Sequence, residues 1–537
     1  MRAALMMNSS PPGSPTTDRG PVAADAAAAT TGGSVLRGSF WNVASTILPQ
    51  LFVLVMSVVA ARFLGPEDMG RQSFIAFIAL SATSLFGGGI AATLMRYVGE
   101  MLGGGRPGVA RDLAGWGWGL ASIWAAIGTA VMVGTGLLGA TPQAAWILAG
   151  VGAGLGILQS IPNAVLVGAQ EWRRASMVGL VTGTIGVPLV IGVLAAGGGI
   201  AGMFAVDVLI VGANLIWSGS LSRGVLQRLA ERPERDPQVR HAANVYARWA
   251  LLSVLLATIV FKRSEFFFLN HYATDHDIAI YSISFAAVYA ITTLTESLVQ
   301  TLLPAFATLF GGGHRERIEF GFDRAQRLVM MTALPLTAAT VALGPEALAL
   351  VYGRQFSETG QIVQILAIGI PLLALMNLAH AFMIGLGRVK TVLAVDGTAA
   401  VVNLSLAFLL IPAHHTVGAA LANLIGQCLV AVIVTVYALR AMQHVHLPVR
   451  TIVLTATTAA AGGLAAYGLV SALGGVVGLI AGLLGGTVAF LAVGSVLKII
   501  RADDAGWLVG STAGTRFAGP AALLCRILAA PPTEAPR

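Results

Sequence analysis

Within an otherwise apolar stretch the sequence reads Phe261-Lys262-Arg263-Ser264-Glu265-Phe266-Phe267-Phe268, placing three ionisable side chains within four positions. On a helix Lys262 and Glu265, three residues apart, share a face, while Arg263 lies about 100° round from Lys262. Pairing Lys262 with Glu265 leaves one positive charge over, and a cation held among apolar residues can bind an anion. Arg263 follows Arg248 by fifteen residues. At 1.5 Å per residue that is about 22 Å, past the middle of a ~30 Å hydrocarbon layer. Two placements satisfy this spacing: the bases line a watery cavity, or they snorkel to an interface near Asn270, about 10 Å further on.

Asp207, Glu296 and Asp396 are the other acids inside apolar stretches, each about two turns from an end. With Glu265 they are the candidate coupling or paired carboxylates, because coupling to a proton requires a carboxyl whose burial disfavours its charge. A structural, hydrogen-bonded role is the alternative for each. Arg37 and Arg96 stand at the ends of apolar stretches, as cavity cations or as markers of topology. His380 lies mid-stretch, as a packed helix residue or a proton relay. The two cysteines, Cys428 and Cys525, have no metal or redox spacing, so no metal, cofactor or catalytic residue is expected.

What must position these side chains follows from composition. The chain has 537 residues, 56% hydrophobic and only 10% charged, against ~25% charged for a soluble domain, which excludes a water-soluble enzyme of this size. Apolar runs of twenty residues or more, without alternation, exclude a β-barrel and indicate an all-α polytopic membrane protein. Breakers divide the region from Ser39 to Ile500 into about fourteen spans. With both termini cytoplasmic, the inner segments hold 27 of the 32 Lys and Arg; Arg62, Arg71 and Arg354 fall outside, and Lys262 and Arg263 within a span. The formal charge of +8 is thus topological, and no nucleic-acid partner is expected. Residues 1–35 read as a disordered tail, 36–222 as a first lobe of six spans, 223–245 as a cytoplasmic linker and 246–440 as a second six-span lobe. Residues 441–500 read as spans thirteen and fourteen, and 501–537 as a loosely ordered, Ala- and Pro-rich cytoplasmic tail.

A duplication is visible. Asn163-Ala-Val-Leu-Val-Gly168 resembles His380-Ala-Phe-Met-Ile-Gly385, and the openings Gly199-Ile-Ala-Gly202 and His415-Thr-Val-Gly418 recur two spans later. Six spans per half make both halves enter the membrane in the same sense, related by a pseudo-two-fold axis along its normal. The loops are too short for a catalytic domain, and no Walker A, HExxH, GxSxG or paired-carboxylate pattern is present. The Gly-rich clusters Gly87-Gly-Gly, Gly103-Gly-Gly, Gly197-Gly-Gly and Gly311-Gly-Gly read as turns and packing points. Transport, not catalysis, is the leading class.

From Ser34 to Arg440 the chain resembles the oligosaccharide flippases of the multidrug/oligosaccharidyl-lipid/polysaccharide exporter (MOP) superfamily. The resemblance rests on Gly38-Ser-Phe-Trp-Asn42, Arg62-Phe-Leu-Gly-Pro-Glu67-Asp-Met-Gly70, Arg96-Tyr-Val-Gly-Glu100 and Tyr352-Gly-Arg-Gln-Phe356. Asn403, Leu410-Ile-Pro412 and Gly418-Ala-Ala420 extend it. Arg263-Ser-Glu265 and Tyr281 stand where the family often has Arg-x-Asp and a Tyr; Ala407 departs from a second Asn four residues after Asn403. The resemblance implies two lobes about a cavity open alternately to either side, and a polyprenyl-pyrophosphate-linked oligosaccharide or related cell-envelope precursor as substrate. Membrane lipids, a coupling ion (proton or sodium) and polysaccharide-assembly glycosyltransferases are the implied partners, in the plasma membrane. The competing readings are a cation-coupled small-molecule or multidrug antiporter of the same superfamily, and a membrane-embedded enzyme or scaffold of polysaccharide assembly.

Overall fold

In lipid no water satisfies backbone N–H and C=O groups, so long runs of Leu, Val, Ala and Gly must close their hydrogen bonds within helices. The computed structural model, which describes residues 32–229, 232–261, 264–300, 315–442, 445–512 and 518–530, is built accordingly. The first half holds α1 (Gly32–Ala82), α2 (Gly88–Gly103), α3 (Pro107–Leu137), α4 (Gln143–Gly168), α5 (Trp172–Ala195) and α6 (Gly199–Leu229). The second holds α7 (Pro237–Phe261), α8 (Glu265–Tyr272), α9 (Asp275–Gln300), α10 (Arg315–Tyr352), α11 (Thr359–Ala367), α12 (Ile370–Gly385) and α13 (Val389–Arg440). Then come α14 (Val449–Leu473), α15 (Gly475–Leu497), α16 (Ala502–Thr512) and α17 (Ala518–Leu528).

Ten described helical segments are long and apolar enough to cross a membrane, eleven if α11 and α12, bent by 41° at a short break, form one span. The count of fourteen is reached only by dividing α1 and α13 at their interruptions and joining α7 to α8. Those interruptions are sharp. Gly65, with φ 76° and ψ 176°, turns α1 just before Pro66, in a region open to glycine and costly for other residues. His415, with φ 44° and ψ −121°, turns α13. A non-glycine residue there carries about 1–3 kcal/mol of strain. Close packing of Gly418 against the Leu410 carbonyl holds it in place.

Each half has its own apolar core. In the first, Leu94, Leu113, Ile157 and Ile161 pack together, beside a second cluster with Ile75, Met132, Trp146 and Phe204. In the second, Phe266, Tyr281, Phe322, Phe356 and Phe382 anchor a larger cluster, which Ala60, Ala61, Met69 and Phe77 of α1 enter from the first half. The halves meet where α1 lies along α9 and where α2 lies along α7. A π-helical turn, Thr83–Gly87, separates α1 from α2. Beyond it Gly89 lets the Leu251 backbone approach so closely that a Cβ would sit 3.1 Å from its nitrogen. The Gly87-Gly-Gly cluster is therefore a helix contact. α14 and α15 meet through Gly462 and Gly486, whose added Cβ atoms would each lie 2.9 Å from the other's carbonyl oxygen, and both helices pack on α10.

Where the sequence suggests a loosely ordered tail after Ile500, the described residues form two helices, α16 and α17. α16 and α17 fold back on α10, α14 and α15. Ile500 donates to the Leu528 carbonyl (3.1 Å) and Ala530 to the Ile500 carbonyl (2.9 Å), and Cys525 and Leu528 are buried with Ile499 and Ile500. Asp504, fully buried, accepts from Arg327 Nε (2.6 Å) and Nη2 (2.9 Å) and from Arg324 Nε (3.0 Å). Ala and Pro content concealed this, because the partners of Asp504 lie 177 and 180 residues upstream.

Candidate functional site

α7 ends at Phe261, and Ser264 precedes the first residue of α8, Glu265. Glu265 is fully buried. Its Oε1 accepts from Asn403 Nδ2 and from Asn423 Nδ2, both at 3.1 Å. Ser264 Oγ donates to Asn403 Oδ1 (3.2 Å), and Gln427 Nε2 to Asn423 Oδ1 (2.7 Å). The Tyr281 hydroxyl of α9 faces the same carboxyl group. Asn403 precedes the His415 corner of α13 and Asn423 follows it, so one carboxyl group ties the start of α8 to both limbs. Gly426 makes room: a Cβ there would lie 3.0 Å from Asn403 Nδ2. A buried carboxyl group is tolerated only when hydrogen-bonded in this way.

The remaining acids do not gather round Glu265. Asp396 of α13 pairs with His380 of α12, Nε2 to Oδ1 at 3.0 Å, while His380 Nδ1 lies 3.1 Å from the Met376 carbonyl. Glu296 of α9 accepts from Asn377 Nδ2 of α12 at 3.3 Å. Asp207 of α6 stands over Gly152 of α4, whose missing side chain leaves the carboxyl group a crevice (3.2 Å to an added Cβ), and it remains accessible. Arg96 is exposed midway along α2, not at a helix end as the sequence suggests, its guanidinium 4.8 Å from the Tyr246 ring centre and 5.4 Å from that of Tyr97, a cationic patch bridging α2 and α7. Arg37 lies on the first turns of α1. Lys262, whose pairing with Glu265 the spacing predicts, and Arg263, the base that pairing leaves over, lie outside the described residues. Asn423 and Gln427 escaped the sequence reading; an Asn and a Gln four apart in an apolar stretch was the available signal.

The end of the bundle expected to face outward is tied across the halves. Arg62 donates through Nε to the Val351 carbonyl (2.8 Å), and Arg71 Nε reaches Asp275 Oδ2 (2.9 Å). Tyr352 donates to Ser57 Oγ (3.2 Å), and Gly70 lies directly against the Asp275 carbonyl. A Cβ at position 70 would overlap that oxygen, so Gly70→Ala is expected to part the halves here. Cysteines placed at positions 62 and 351 should then react with a membrane-impermeant maleimide several times faster; unchanged labelling would show that the contact is not a closure. At the opposite end Arg106 holds Asp236 (2.7 Å), and the Glu234 N–H donates to the Gly108 carbonyl (2.9 Å), so the linker is clamped to α3. The Arg106 hydrogen bond, with those from the Val239 and Gln238 N–H groups, holds the Asp236 carboxyl below the usual carboxylate range.

Known proteins share this fold. A family model for the lipid II flippase MurJ matches residues 287–484, and one for a polysaccharide biosynthesis protein matches residues 143–361. No curated protein matches the chain by sequence. Among solved structures, the lipid II flippase MurJ in an inward closed conformation superposes with a TM-score of 0.66 at 12% identity, over 85% of this chain and 98% of that one. An inward-facing multidrug resistance MATE family transporter of the MOP superfamily gives 0.61 at 15% identity, over 75% and 98%. A MATE protein in a straight conformation gives 0.54 at 17% identity, over 76% and 95%. At such identities the structural likeness speaks to fold alone. The resemblance read from the sequence motifs, and the all-helical transmembrane fold, are borne out.

Proposed function

We propose that the chain is a flippase that carries a polyprenyl-pyrophosphate-linked oligosaccharide, or a related cell-envelope precursor, across the plasma membrane by alternating access between lobes 36–222 and 246–440, with both termini cytoplasmic. The observation that carries this is the setting of Ser264 and Glu265, which follow the dibasic pair in the sequence. α7 packs on α2 of the first half and on α13 of the second, and the described chain resumes at Ser264 and Glu265, both bonded into α13. Lys262 and Arg263, which precede Ser264 in the sequence, are the cations we assign to the pyrophosphate, a group that calls for fixed positive charge. Arg96 over Tyr97 and Tyr246, with Arg37 on α1, would supply further positive charge on the approach. Glu265, held by two amides, is the coupling carboxylate for a proton or sodium ion, with Asp207, Glu296 and Asp396 in supporting roles.

The test is flipping of a fluorescent polyprenyl-pyrophosphate oligosaccharide in proteoliposomes. Arg263→Gln should reduce the rate at least about tenfold, the scale of one lost charge-assisted contact, with insertion and melting unchanged. Lys262→Gln should act in the same direction. Wild-type flipping by both variants would overturn the assignment.

A further inference from the structure

Two hollows lie on the first half along helices α3 and α4, away from the α1–α9 and α2–α7 contacts that join the halves. The smaller, about 180 Å³, is lined by Arg111 and Trp118 of α3 and by Ser222, Arg223 and Gln227 of α6. The larger, about 440 Å³, is an apolar groove between α3 and α4, floored by Ala125, Ala126, Ala130 and Gly154 and walled by Leu155 and Leu158. Positions 111, 115, 118, 122, 126, 129 and 133 fall on a single stripe of α3, and positions 151, 155, 158 and 165 on a single stripe of α4. The hollows are therefore two ends of one furrow, polar at the basic-loop end and apolar beyond it.

The apolar stretch from Ser122 to Val133 is about 16 Å long at 1.5 Å per residue, close to one leaflet of a ~30 Å hydrocarbon layer. Guanidinium groups recognise phosphate oxygens in a fixed fork, and an indole favours the headgroup level. Arg223 is exposed and makes no ion pair among the described residues. We propose that this furrow binds an anionic phospholipid of the surrounding bilayer, its phosphate between Arg111 and Arg223 and one acyl chain in the α3–α4 groove. A long polyprenyl chain exceeds the furrow, which argues for an ordinary acyl lipid as occupant.

Native mass spectrometry of the detergent-purified full chain, titrated with phosphatidylglycerol and with phosphatidylcholine of matched acyl chains, tests this. The wild type should retain phosphatidylglycerol more tightly. Arg223→Gln should lower that affinity about five- to tenfold and abolish the preference. Ala126→Phe, an exposed position inside the groove, should weaken both lipids equally. Equal retention by wild type and both variants overturns the proposal. So does displacement of phosphatidylglycerol by equimolar polyprenyl phosphate, which would give the furrow to the carrier lipid, or by inorganic phosphate alone, which would leave the groove without a role.

Discussion

Glu265→Ala is expected to abolish transport and to lower the melting midpoint of the purified protein markedly. Removing the carboxyl group leaves the Asn403 and Asn423 amides, both buried, without their shared acceptor. Each unsatisfied donor costs about 1–3 kcal/mol, and the two limbs of α13 lose the group that ties them to α8. Glu265→Gln separates structure from chemistry. Its carboxamide keeps the volume and one acceptor oxygen, so stability should stay within about 1–2 kcal/mol of wild type. Flipping driven by an imposed proton or sodium gradient should still fall to the ungraded rate. If Glu265→Ala melts and transports like the wild type, the carboxyl group is a bystander; if Glu265→Gln keeps its gradient dependence, coupling lies with another acid.

Glu265 was legible in the sequence because a charge in an apolar stretch is conspicuous, and Asn403 through the family resemblance. Asn423 and Gln427 were not singled out, since their spacing in an apolar stretch signals a polar face but does not show that the face meets Glu265, 158 residues away from Asn423. The acids Glu296 and Asp396 were visible singly, but their partners Asn377 and His380 lie 81 and 16 residues away, a distance that only the folded chain closes. The bend between α11 and α12 was hidden for a different reason. Pro371 at the start of α12 could mark a helix beginning or a kink, and the apolar run continues through it. The turns at Gly65 and His415, by contrast, coincide with the span boundaries that the sequence suggests.

Asp504→Ala should release the C-terminal helices from the rest of the protein. Arg327 is almost fully buried against Asp504 and Asp323, and Arg324 stacks on Phe320 (4.5 Å) and Trp507 (5.3 Å). Deleting the shared acid strands buried cations, a loss of about 3–5 kcal/mol for a broken buried pair. Hydrogen exchange across 502–528 should rise by orders of magnitude. The double change Asp504→Leu with Arg327→Met, which replaces charge by apolar volume, should recover most of the protection. Burial alone would raise the Asp504 carboxyl pKa, but the hydrogen bonds and charges of Arg327 and Arg324 outweigh it and hold the group below the usual carboxylate range. Because its folded pKa is depressed, this contribution is complete above about pH 4, the unfolded carboxylate value, and is lost as pH falls further. Protection that fades between pH 8 and 6 would contradict the assignment.

Gly65 and His415 each break a long helix within a single residue, at the end where Arg62, Arg71 and Tyr352 hold the halves together. Such corners have no slack. A connection without spare length cannot stretch to let its two limbs part, so each pair must swing as one stiff lever about its own elbow. Tethering one limb of either pair would then immobilise both, and the widest sweep falls to the ends farthest from the elbows.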